Sequence, residues 1–226
     1  MKTSFKKITF CFFFFSLLPG IVFAQSFKKK GLYISLSEGV TNAKFSTSKN
    51  DFKVPSDFNI KTLDGERDPL IIEYGLNSKI GIGISMGNDI FKINPQNHYG
   101  NTFKESNKTE VKTSEFTIDL NYHLFNTYKT DISAFISLGT FSLNFKGHES
   151  DFEYKYTSRG NLVRIGSRAK YYFSKRVGVM AMFSTFSAYS SPKDVKETNI
   201  AKNYNTNLNG FSSEFGLCFR FFWYFF

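Results

Sequence analysis

The chain has 226 residues, of which 41% are hydrophobic, 19% aromatic (29 Phe and 12 Tyr among them) and 21% charged, with a formal net charge of +10. That length suits one domain, and so large an aromatic share sets the chain apart from ordinary soluble proteins. The cysteines are Cys11 and Cys218, and there is no Cys-x-x-Cys or His-Glu-x-x-His spacing, so no disulfide framework, metal site or cofactor is expected.

Lys2, Lys6 and Lys7 precede an apolar run from Ile8 to Leu18, and Pro19-Gly20 leads into Val22-Phe23-Ala24. A basic region, a short apolar core and small residues at Val22 and Ala24 form a secretory signal peptide, residues 1–24, cut between Ala24 and Gln25. An uncleaved membrane helix fits less well, because the run is short and broken by Pro19-Gly20. Removal of the peptide leaves 26 basic and 19 acidic residues, with Cys218 as the remaining cysteine. This positive balance suits the anionic head groups of a membrane better than nucleic acid, and no nucleic-acid partner is expected. Lys28-Lys29-Lys30 reads as a solvated lead-in to the first strand. Nothing after Ala24 reaches the ~18 continuous apolar residues of a membrane helix. If residues 25–226 cross a membrane, they do so as a closed barrel.

The first strand spans about Gly31 to Gly39, setting Leu32, Ile34 and Leu36 against Tyr33, Ser35 and Ser37. A long polar segment, Thr41 to Asp68, is expected to be a loop. Leu70 to Leu76 forms the second strand, Asn77-Ser78 a tight turn, and Ile80 to Gly87 the third strand. A second loop follows from Asn94 to about Lys112. The fourth strand opposes Phe116, Ile118, Leu120, Tyr122 and Leu124 to Glu115, Thr117, Asp119, Asn121 and His123. After a turn at Asn126 to Lys129, the fifth strand runs from Asp131 to Lys146. Its apolar residues are even up to Leu138 and odd from Phe141, which predicts a β-bulge near Gly139. His148 to Glu153 is a shorter loop. The sixth strand sets Val163, Ile165, Ala169, Tyr171 and Phe173 against Arg164, Gly166, Arg168 and Lys170. Ser174 to Arg176 turns into the seventh strand, Val177 to Tyr189, whose faces the pattern does not assign. Pro192 to Asn209 is the last loop.

The closing strand, Gly210 to Phe226, alternates Phe211, Phe215, Leu217, Phe219, Phe221, Trp223 and Phe225 with Ser212, Glu214, Gly216, Cys218 and Arg220. The pattern therefore predicts an all-β, up-and-down antiparallel barrel of about eight strands, with short and long connectors alternating as in outer-membrane barrels. The polar faces collect Glu73, Glu115, Asp119 and Glu214 with Arg164, Arg168, Lys170 and Arg220, an expected network of paired charges inside a narrow barrel. Gly81, Gly83 and Gly87 are expected to make room for bulky internal side chains. The competing architecture is a soluble exported barrel with an apolar interior holding a small apolar ligand.

The signal peptide ending Val22-Phe23-Ala24, the alternating strands and the terminal Phe222-Trp223-Tyr224-Phe225-Phe226 resemble the small OmpX/OmpA-like outer-membrane β-barrel family of Gram-negative bacteria. The resemblance covers essentially the whole mature chain. It implies Sec-type export to the outer membrane, contact with outer-membrane lipid and lipopolysaccharide, and Phe226 as the signal read by the barrel-assembly machinery. Phe226 is even-numbered whereas the strand's apolar set is odd, so Phe225 shares that parity instead. A side-chain-filled interior leaves no room for a general diffusion pore. The expected role is non-enzymatic, in envelope integrity or surface interaction through the loops, where Lys44, Lys49, Lys53, Lys61, Lys193, Lys196 and Lys202 and several aromatics lie. The alternative is a barrel enzyme acting on lipid A through His148 with Ser150 and Asp151, or through His98 with Asp89. Solvated rim histidines are the simpler reading of His98 and His148, and His123 is expected in the internal network.

Overall fold

A strand in a closed barrel has its backbone bonds satisfied on both edges, and this architecture is what the computed structural model shows. The structure describes residues 31–49, 63–92, 110–149, 152–194 and 204–222. Its elements are β1 (Gly31–Lys49), β2 (Leu63–Arg67), β3 (Leu70–Gly75), β4 (Ile80–Lys92), β5 (Glu110–Asn126), β6 (Thr130–Glu149), β7 (Phe152–Tyr172), β8 (Val177–Asp194) and β9 (Tyr204–Phe222). All neighbours pair antiparallel in sequence order, and β9 returns to β1, so the sheet closes on itself.

β2 and β3 are one wall strand. Arg67 lies opposite Gly39 and Leu70 opposite Leu36 on β1, with no change of register between them. On the other side Arg67 meets Asp89 and Leu70 meets Met86, again in one register. Pro69, which has no N–H to give, interrupts the ladder. Ser37 N–H still donates to the Pro69 carbonyl (3.2 Å) and Asp68 N–H to that of Asn88 (3.2 Å). The barrel therefore has eight wall strands, as the alternation predicts.

Following the pairings round the ring from Leu36 through Leu70, Met86, Phe116, Thr140, Asn161, Tyr189 and Asn207 returns to β1 at Ser46, a shear of ten residues. Eight strands with that shear tilt by about 40°, so each residue climbs about 2.5 Å along the axis. The three described turns lie at one end, and each is closed by its own polar side chain. Asn77 Oδ1 accepts from the N–H of Lys79 and Ile80 (2.8 and 2.9 Å), Thr127 Oγ1 from Thr130 N–H (3.0 Å), and Ser174 Oγ from Val177 N–H (2.9 Å). The strand ends that flank 50–62, 93–109, 150–151 and 195–203 lie at the opposite, loop end.

The strands reach further toward the loop end than their sequence pattern indicates. β1 continues to Lys49 and β2 runs from Leu63 to Arg67, so 41–49 and 63–67 of the expected Thr41–Asp68 loop are strand. The predicted His148–Glu153 loop is mostly strand, with β6 ending at Glu149 and β7 starting at Phe152.

Near the turns the outward residues are apolar, for example Leu120, Leu124, Ile136, Ile165, Phe215 and Leu217, each at least 40% exposed. Toward the loop end they become Asp64, Glu66, Lys112, Thr140, Arg159, Asn161, Thr185 and Asn209, with Ile90 and Tyr189 as exceptions. The interior changes in the opposite sense. It holds charged groups beside a smaller apolar cluster (Tyr33, Ile71, Phe135, Tyr172, Met180, Met182 and Cys218) in the turn-end half, whereas Ala43, Leu63, Phe91, Val111, Phe141, Leu143, Leu162, Phe186, Ala188 and Leu208 form an apolar cluster without charges in the loop-end half. This inversion replaces the bulge expected near Gly139. The β5–β6 register is unbroken there (Thr117 opposite Gly139, Phe116 opposite Thr140), and the shift falls at Leu124 instead. Leu138 faces out and Phe141 and Leu143 face in because their surroundings exchange, not because the strand slips.

Leu143 is fully buried in that cluster. Leu143→Ala is expected to cost about 2–5 kcal/mol, read as a lower urea midpoint for the barrel refolded in phospholipid vesicles. An unchanged midpoint would place Leu143 outside the core.

Candidate functional site

The eight charged side chains singled out from the sequence, Glu73, Glu115, Asp119, Arg164, Arg168, Lys170, Glu214 and Arg220, all point into the lumen and are at most 8% exposed. Period two puts them there, since each alternates with an outward apolar residue of its own strand. His123, expected in the internal network, lies there with them, and the structure adds three that the pattern did not single out for it: Arg67, Asp89 and Asp131. Arg67 was assigned to a loop, and Asp89 and Asp131 sit at the ends of their alternating runs, where parity is hard to read.

Toward the middle of the barrel, Arg67 donates through Nε to Glu214 (2.8 Å), through Nη1 to Asp89 (3.1 Å) and through Nη2 to Glu115. Arg164 donates to the other Glu115 oxygen (2.8 Å) and to Ser212 (3.1 Å), and Ser212 donates to Glu214 (2.9 Å). Arg67, Glu115, Arg164, Ser212 and Glu214 thus form a closed ring of hydrogen bonds that bridges opposite walls of the lumen. Side chains this large fit because their neighbours are small. A Cβ on Gly87 would stand 3.2 Å from Arg67 Nη2, while one on Gly39 would meet the β9 backbone at Ser213 and Glu214. Gly81 makes the same room for the carboxylate of Glu73, while Gly83 lies against the β3 backbone at Ile72.

Nearer the turns, Arg168 binds Asp119 (2.7 Å) and Asn121 (2.7 Å) and stacks over Phe135, its Cζ 4.0 Å from the ring centre. Asp119 is held further by Ser85 (2.6 Å) and Thr117 (2.9 Å). Below them Lys170 donates to Glu73 (2.7 Å) and lies 3.7 Å from Asp131. His123 stands between the same acids, Nδ1 at 2.6 Å from Asp131 and Nε2 at 2.9 Å from Glu73. A ring nitrogen that carries a proton can donate to the carboxylate it faces. Buried with His123 are five cationic side chains, Arg67, Arg164, Arg168, Lys170 and Arg220. Facing them among the described residues are six buried carboxylates: Glu73, Asp89, Glu115, Asp119, Asp131 and Glu214.

Arg220 differs from the rest. It donates to the turn carbonyls of Lys175 (2.6 Å) and Tyr128 (2.9 Å), and stacks 4.1 Å over Tyr172, closing the turn end of the lumen.

The enzyme alternative finds no assembled site among the described residues. Asp89 is taken by Arg67 and by Thr113 (2.8 Å). His98, Ser150 and Asp151 lie outside the described residues, as do the signal peptide, Lys53, Lys61, Lys196, Lys202 and Phe226.

The closed, tilted, eight-strand meander with its three described turns at one end is the fold of the small outer-membrane β-barrels. It is similar to the outer membrane protein OprG from Pseudomonas aeruginosa, at TM-score 0.52 and 12% identity over 87% of this chain and 98% of that one. It is also similar to the outer membrane protein AlkL, solved by solid-state NMR in lipid bilayers, at TM-score 0.53 and 10% identity over 92% of this chain and 98% of that one. At these identities the likeness is one of fold. No protein-family model matches the sequence, and no curated protein matches it.

Arg67→Leu removes the cation shared by Asp89, Glu115 and Glu214 and is expected to cost about 3–5 kcal/mol, measured by denaturant unfolding in vesicles. The simpler Arg168–Asp119 pair offers a control. Arg168→Leu with Asp119→Leu should be more stable than Arg168→Leu alone, since no carboxylate is then left unpaired. A double variant no better than the single would show that the pair is not coupled.

Proposed function

We propose that the protein is a non-enzymatic outer-membrane β-barrel that transmits nothing through its lumen and acts through its loop end, in envelope integrity or contact with surface partners. The observation that carries this reading is the ring of Arg67, Glu115, Arg164, Ser212 and Glu214 across the lumen, packed beneath an apolar cluster that is nowhere more than 6% exposed. A barrel filled by paired charges and then by apolar side chains has no continuous aqueous path. The basic leader supports Sec export with removal of residues 1–24, and an even number of wall strands then leaves the start of β1 and the end of β9 on the periplasmic side and the loop end outside. Outer-membrane lipid and lipopolysaccharide are the expected surroundings, and the barrel-assembly machinery the expected insertion partner. The non-enzymatic reading is supported by the engagement of both ring nitrogens of His123 and of both Asp89 oxygens in the packed interior.

Cell fractionation with gel electrophoresis of unboiled and boiled samples tests the placement. The expected result is an outer-membrane band whose mobility changes on boiling, and a soluble band without a shift would refute it. In planar bilayers the purified barrel should give no conductance steps. A stable conductance would overturn the sealed lumen and leave the placement standing.

A further inference from the structure

We propose that bilayer hydrocarbon covers only the turn-end half of the wall and stops level with the Arg67–Glu115 ring, leaving the loop-end half as a barrel in hydrated surroundings with its own apolar core. This rests on the outer-membrane reading and adds where the membrane ends on the chain.

Strand length makes the first argument. A strand crosses the hydrocarbon in about 9–11 residues, whereas β5 to β9 have 17, 20, 21, 18 and 19. Roughly half of each of these five strands must therefore stand outside, and a few residues of the shorter β4 (13 residues). The excess is all at one end, because exposed apolar residues begin directly at the turns, with Leu76, Leu124 and Phe173.

The wall's outer surface makes the second. With the tilt and shear given by the pairings, outward apolar residues occupy a band about 24 Å tall, close to the ~25 Å of outer-membrane barrels. Val40, Phe116, Leu138, Val163 and Phe211 mark its upper edge. Above them the wall offers Ser142, Asn161, Ser187 and Asn209, with Ile90 and Tyr189 as the exceptions, and these polar groups suit water or hydrated saccharide head groups and not acyl chains.

The interior supplies a third, independent argument. A wall in hydrocarbon can be apolar outside and polar within, but a wall in water gains stability only by burying apolar groups inside. The luminal charges, which share the turn-end half with a smaller apolar cluster around Tyr33, Phe135, Tyr172 and Met180, give way to a wholly apolar cluster at about the height at which the outer side chains switch from apolar to polar. Two faces of one wall change together because the medium outside changes there.

Single cysteines at Leu120, Ile165, Ser142 and Asn209, carrying nitroxide labels, test the boundary in vesicles of phospholipid with lipopolysaccharide. Cys218 is buried and stays unlabelled in the folded barrel. Collisions with oxygen should dominate at Leu120 and Ile165, and collisions with a water-soluble nickel chelate at Ser142 and Asn209. Oxygen dominance at all four positions would overturn the boundary while keeping the barrel in the membrane. Chelate dominance at all four would overturn the membrane placement itself. Should a labelled variant lose its heat-modifiable mobility, Ile118 and Ser187 give the same reading from the same two levels.

Discussion

A guanidinium inside a narrow barrel has little water to solvate it and must be met by carboxylates on other strands. Arg67 illustrates how far that requirement reaches. It gathers acids from β4, β5 and β9, and Arg164 on β7 ties the ring shut through Glu115 and Ser212. The bond lengths hold only if five strands keep their register to the residue, because a slip by one would turn each charge outward. Glycine placement follows in part from the same need: Gly87 is small because Arg67 is large, while Gly39 lies against the β9 backbone at Ser213 and Glu214. Register, the placement of Gly87 and the closed lumen are three expressions of one electrostatic constraint.

Much of this was legible in the sequence where a strand lies in a single environment. In β5, apolar residues at Phe116 to Leu124 alternate with charged and polar ones without a break, so both the strand and the inward parity of Glu115 and Asp119 could be read directly. β9 is similar, and Phe211, Phe215 and Leu217 of its odd apolar set do face out. β6 misled because its environment changes along its length. Leu138 and Phe141 are both where an apolar side chain should be, one against lipid and the other in a core, and parity alone cannot distinguish that from a bulge. β8 resisted assignment for a related reason. Met180, Met182, Phe186 and Ala188 face in while Val179 and Phe183 face out, so both faces are apolar.

Arg67 was hidden by a different effect. Asp64, Gly65, Glu66, Asp68 and Pro69 surround it with residues typical of a loop, and local propensity favours that reading. The segment is a strand because β1 and β4 supply partners on both sides and because its outward acids meet a hydrated layer. Pairing is a property of the neighbours, which are separated from Arg67 by about twenty residues or more, and no window centred on the segment contains them. The network's edges were lost with it, since Asp89 has meaning only once Arg67 is opposite.

The sequence distances within the network bear on how such a chain can be put into a membrane. Arg67 and Glu214 are 147 residues apart, and Lys170 and Glu73 are 97 apart. Neither pair exists in any hairpin, or in any partial sheet that lacks the far strands. A half-inserted sheet would therefore present bare cations and carboxylates to lipid, at about 2–4 kcal/mol for each midplane Arg or Lys. Insertion one hairpin at a time is uphill until β9 meets β1. The chain is thus built to enter the bilayer as a nearly complete, curled sheet whose last seam and whose interior ion pairs form together.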